Sequence, residues 1–99
     1  MKERKKAVAL RYHQEQDQAP RVVASGVGYL AEKILEIAQK NGISVREDSV
    51  LTEALSLIEP GSEIPEELYL AVAQILVEII NADKKQKNNS LALGGSYGE

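Results

Sequence analysis

The sequence predicts a small α/β domain: a small mixed β-sheet of about three strands, flanked by about three helices. Three observations predict it. Apolar residues form short continuous runs at Ala7–Leu10 and Val22–Ala24, the pattern of strands covered on both faces. Over 26–41 and 65–82, apolar residues instead recur every three or four positions, the pattern of helices with one face on a core. Finally, 99 residues suffice for one domain and one modest core.

Composition narrows the options. Four Tyr but no Trp or Phe leave Val, Leu, Ile and Ala to build the core. A net charge of -3, from 12 basic and 15 acidic residues, supplies no field for phosphate contacts, so no nucleic-acid partner is expected. The basic residues cluster near the ends, at Lys2–Lys6 and at Lys84, Lys85 and Lys87, where they read as solvated termini, the alternative being a weak attraction to anionic lipid or an acidic partner. With no cysteine there is no disulfide, thiol chemistry or thiolate metal site, and no cofactor is expected. The charged first residues do not read as a secretory leader. The apolar run Leu68–Val77 falls far short of the ~20 residues of a membrane span. A cytoplasmic chain with no direct membrane insertion is the expectation.

The elements follow in order. Lys6–Tyr12 reads as a strand, 13–20 as a polar loop, and Arg21–Ala24 as a second strand entered from Pro20. Ser25 offers a cap for a helix reaching about Asn41, with Val27, Leu30, Ala31, Ile34, Leu35, Ile37 and Ala38 on its apolar side. Gly42 suits the stop. Ile43–Arg46 is a short strand candidate, and Asp48 or Ser49 caps a brief helix reaching Ile58. Pro65 opens a last helix running to about Ala82, with Glu66 and Glu67 complementing its dipole. Beyond Lys84 the chain is rich in Gly, Asn and Ser without periodicity. Residues 1–83 are therefore expected to form the domain and 84–99 a disordered tail.

Catalysis finds little support. His13 is the single histidine and falls in the polar loop. Glu15, Asp17, Glu47 and Asp48 are the carboxylates that could pair, but nothing gathers them around a cleft. The Ser25–Gly28 turn leads from strand to helix but lacks the spacing and lysine of a phosphate loop.

The last helix is more informative. Leu68, Ala71, Val72, Ile75 and Ile79 form one apolar stripe, while Tyr69, Ala73, Leu76 and Ile80 form a neighbouring ridge. Leu70 and Val77 widen the arc. Two readings stay open: a helix wedged between layers of its own domain, or one whose second ridge meets a partner.

The residues just parsed resemble a known family. Ala7–Tyr12 (A-V-A-L-R-Y), Ala19–Ala24 (A-P-R-V-V-A) with Gly26, Val45–Asp48 (V-R-E-D), Leu51–Leu55, Glu63–Tyr69 (E-I-P-E-E-L-Y) and Ala71–Ala73 (A-V-A) are similar to the C-terminal cytoplasmic domain of the FlhB/YscU family. These are export-switch proteins of flagellar and type III secretion. The likeness runs from about Ala7 to Ile80 and does not include the family's membrane domain. In the family an Asn-Pro-Thr-His motif, cleaved between Asn and Pro by asparagine cyclisation, precedes the first matching strand. Here Lys2–Lys5 stand in its place and the chain contains no Asn-Pro pair, so no autocleavage is expected.

The resemblance implies a noncatalytic domain that binds export substrates and export-gate or switch proteins, peripheral to the membrane-embedded apparatus. In the family, a strand from the other cleavage fragment completes a four-stranded sheet. That strand is expected to be missing here, leaving a free edge for a basic N-terminus, a second copy in a homodimer, or a partner strand. The family's hydrophobic binding patch, carried over by position, implicates Ala19, Pro20, Ala73 and Leu76, and the helical ridge adds Tyr69 and Ile80. The alternative function is a structural or oligomeric scaffold with no export role.

Overall fold

The computed structural model describes residues 4–13, 18–82 and 88–97, without the side chains of residues 4, 79, 80, 82, 88, 89, 96 and 97. The elements run β1 (Arg4–His13), β2 (Arg21–Val27), α1 (Tyr29–Lys40), β3 (Ser44–Glu47), α2 (Ser49–Leu55), α3 (Tyr69–Ala82) and β4 (Asn88–Tyr97). A single 3₁₀ turn, Glu66–Leu68, leads into α3. The sheet has four strands in the order β2-β1-β4-β3. Only the β3–β4 pair is parallel. The predicted mixed α/β sheet with three helices is therefore observed, with one strand more than expected.

That extra strand corrects two expectations. Residues 88–97, read as part of a disordered tail, form β4 in the middle of the sheet. The partner strand thought to be missing is thus supplied by the chain itself, and the expected free edge of β1 is occupied. The physical reason lies in Leu91, Ala92 and Leu93, all fully buried. Leu91 and Leu93 join the core cluster on one face. The local glycines argue against a strand by propensity, but burial of this run outweighs them.

The start of α1 is a second correction. Ser25 does not cap the helix: Ser25, Gly26 and Val27 continue β2, opposite Val8, Ala7 and Lys6. Gly28, at φ 66°, makes the turn, and its N–H donates to the Lys5 carbonyl at 2.7 Å. At Gly26 a β-carbon would collide with the Leu30 side chain, so the strand can continue beneath α1 only without one. Asp48 does cap α2, accepting from the Leu51 N–H at 3.0 Å.

The helices cover both faces of the sheet. α1 lies on one face, against β1, β2 and β4, and buries Ala31 and Ala38. α2 and α3 lie on the other, over a core of Val8, Leu10, Leu55, Val72, Leu91 and Leu93. Among the described side chains of α3, Val72 and Leu76 are buried and Ile75 is partly buried against the same cluster, as is Leu68 in the turn before it. Leu76, expected on the second ridge, therefore turns inward, and Ala71, expected on the core stripe, is exposed.

Candidate functional site

The segment that enters β2 is fixed before it meets any helix. The Ile64 N–H donates to the Pro20 carbonyl at 2.9 Å, the Val22 N–H to Ser62 at 2.9 Å, and the Gly61 N–H to Val22 at 2.6 Å. Arg21 adds a bond from its Nη1 to the Gly61 carbonyl at 3.1 Å and an ion pair with Glu63 at 3.4 Å. These bonds staple residues 20–22 to the segment that leads through Pro65 into α3. The entry to β2 and the first turns of α3 therefore share one rigid corner.

A groove of about 230 Å³ opens at that corner. Ala19 and Pro20 form one wall and Tyr69, Ala73 and Val77 of α3 the other, with Leu76 also lining it. Tyr12 of β1 and Gln18 complete the lining. Ala19 and Leu76 are buried, whereas Tyr69 is 39% exposed and Val77 53% exposed, so the groove has a packed floor and an open apolar rim. The rim continues along α3 to Leu70, which is 72% exposed. Leu70, Ala73 and Val77, at three- and four-residue spacing, form one exposed apolar stripe, a surface that soluble domains usually reserve for contacts.

Five of the six residues singled out by sequence come together here: Ala19, Pro20, Tyr69, Ala73 and Leu76. The backbone of Ile80 lies in α3, but its side chain falls outside the described residues. Sequence reasoning did not assign Tyr12, Gln18 or Val77 to the site. Val77 carried a usable signal, since it sits one turn beyond Ala73 on the apolar arc. Tyr12 could be found only from the pairing that brings the end of β1 toward α3.

The other chemical candidates are dispersed. Asp48 is committed to capping α2, and Glu47 is exposed at the end of β3. Glu15 and Asp17 lie outside the described residues. At the Ser25–Gly28 turn, Ser25 is inside β2 and the Gly28 N–H is bonded to Lys5, so the turn offers no cradle of free amides. Among the described residues no group of three His, Cys, Asp or Glu side chains could hold a metal ion.

Residues 4–79 match the family described as FlhB HrpN YscU SpaS. The chain belongs to this family. It is 42% identical to YlqH of Bacillus subtilis strain 168 over 84 residues, which are 85% of this chain and 90% of that protein. It is 44% identical to the flagellar biosynthetic protein FlhB of Aquifex aeolicus over 80 residues, 80% of this chain but 23% of that protein. It thus spans under a quarter of that longer relative. The crystal structure of the PscU C-terminal domain superposes with a TM-score of 0.71 at 28% identity, covering 75% of this chain and 95% of that one. The resemblance read from sequence and the fold it implied are both borne out. No helix among the described residues is long and apolar enough to cross a membrane.

Proposed function

We propose that the chain is a noncatalytic protein-binding domain of flagellar or type III protein export. In this reading the groove between the β2 entry and α3 takes short apolar segments of export substrates, or of export-gate and switch proteins. The observation that carries the reading is the groove itself: two segments remote in sequence, Ala19–Pro20 and Tyr69–Val77, are stapled into one apolar cleft with an open rim. The family membership and the flagellar name of the longer relatives supply the biological setting. The absence of an Asn-Pro pair from the sequence supports a domain that does not cleave itself, held in one covalent state. The domain then acts from the cytoplasmic side, peripheral to the export apparatus.

The test places a charge on the rim rather than the floor. Val77→Asp and Ala73→Asp each put a carboxylate where an apolar segment would dock, on side chains that are exposed in the folded chain. The expected result is loss of copurification with export substrates or gate proteins, while circular dichroism and the thermal midpoint stay near those of the unmodified chain. Undiminished binding by both folded variants would refute the groove as the docking site.

A further inference from the structure

β1 and β3 do not pair with each other. Each pairs with β4, which runs antiparallel to β1 from Arg4↔Tyr97 to His13↔Asn88 and parallel to β3 from Ser44↔Leu91 to Glu47↔Gly94. Yet β4 is the last element of the described chain and lies wholly beyond the residues, 4–79, that match the family. The walls on either side of it have supports of their own. α1 packs on β1, β2 and β3, and α2 packs on β1. Lys6 pairs with Glu53 to tie β1 to α2 at 2.6 Å, and Arg46 pairs with Glu78 to tie β3 to α3 at 3.3 Å. The space taken by β4 is therefore a slot one strand wide, with hydrogen-bonding edges on both sides.

The slot selects its occupant sterically. On the α2/α3 face it takes the buried side chains of Leu91 and Leu93, and on the α1 face the small Ala92. At position 94 a β-carbon would come within 3.1 Å of the Leu35 side chain. At position 95 it would come within 2.7 Å of the Ser49 α-carbon. The accepted segment is thus extended and uncharged, in the order apolar, small, apolar, Gly, Gly. We infer that the gap between β1 and β3 is a strand-acceptor site, that residues 88–97 are its resident ligand, and that the same segment of a second copy of the chain seats there by exchange. The second copy is the occupant whose fit is already visible, because its segment is identical. Exchange regains every contact that release gives up, because the segment of the second copy makes the same pairings and buries the same Leu91, Ala92 and Leu93. Exchange of a terminal element between copies is a low-cost route to a dimer. The groove at Ala73 plays no part in this contact.

Arg11 and Ser90 face each other across β1 and β4, and the chain contains no cysteine, so an engineered thiol pair reports the seating without background. The acceptor is the full chain carrying Arg11→Cys, and the donor is a synthetic peptide of residues 86–99 carrying Ser90→Cys. Under a mild oxidant in native buffer, a disulfide-linked adduct is expected by mass, with about tenfold less from a peptide that also carries Gly95→Val. Two full chains, one with each cysteine, are expected to give the mixed dimer as well. The chain carrying both substitutions should close an internal disulfide, which checks the pairing. Adding Val77→Asp to the acceptor should leave adduct yield unchanged, separating this site from the groove. The inference is overturned if the doubly substituted chain closes while no peptide adduct or mixed dimer forms. Equal labelling by the Gly95→Val peptide, or failure of the internal disulfide, overturns it too.

Discussion

A β-carbon on Gly95 would lie 2.7 Å from the α-carbon of Ser49, the first residue of α2. The obstacle is backbone, which cannot rotate aside. One residue earlier and on the opposite face, a β-carbon on Gly94 would lie 3.1 Å from Leu35 Cδ1, the tip of a flexible side chain. Helices thus approach β4 closely from both sides, and the two glycines are unequal. Gly95→Ala should cost about 1–3 kcal/mol, because the strand or α2 must shift. Gly94→Ala should cost clearly less, because Leu35 can change rotamer. Urea denaturation of the two variants checks the order, and equal midpoints would contradict it.

The burial of Leu93 gives the sharpest contrast between a tail and a strand. In a tail, truncating this leucine would leave stability unchanged. Fully buried in the core, Leu93→Ala should cost about 2–5 kcal/mol. The midpoint of chemical denaturation decides between these outcomes.

Much of this architecture was legible because local pattern and tertiary role agree. The apolar run at Ala7–Leu10, the helical spacing over Tyr29–Lys40 and the Asp48 cap each carry their structure in a few adjacent residues. β4 was not legible, because its signal is not local. Only three apolar residues stand against two glycines, and those glycines are explained by Leu35 and Ser49, remote in sequence. Ser25 misled for a related reason: a hydroxyl ahead of an apolar run reads as a cap, but pairing with Val8 keeps it in the strand. At the groove, helical spacing identified Tyr69 and Ala73 but could not say which neighbouring apolar residue turns inward. The docking of α3 on the sheet decides that, burying Leu76 and leaving Val77 on the rim.

Thr52 is fully buried in α2, and its hydroxyl has no hydrogen-bond partner in the described structure. Desolvating a hydroxyl without a compensating bond costs about 1–3 kcal/mol on mutational scales. Thr52→Val keeps the branched shape and removes the stranded oxygen. It lowers helix propensity only slightly, since both residues are β-branched. The variant should be neutral or more stable by up to about 1–2 kcal/mol. A fall in thermal midpoint would show that the hydroxyl does have a partner in solution.

Leu76 and Val77 are adjacent in sequence and both line the groove, yet substitution should cost far more stability at Leu76 than at Val77. Leu76 is 5% exposed and belongs to the core cluster with Val72, Leu55 and Leu10, so it holds α3 to the sheet as well as lining the groove. Leu76→Ala should cost about 2–5 kcal/mol, and Leu76→Asp more, since a buried carboxylate there would lack a partner. Loss of binding by either variant would therefore report unfolding as readily as a damaged site. Val77 is 53% exposed, so Val77→Asp should change stability by no more than about 0.5 kcal/mol. Denaturation curves for the two positions establish this asymmetry before any binding measurement. If Val77→Asp unfolds the chain as strongly as Leu76→Ala, α3 is packed more deeply than described and its rim is not an open surface.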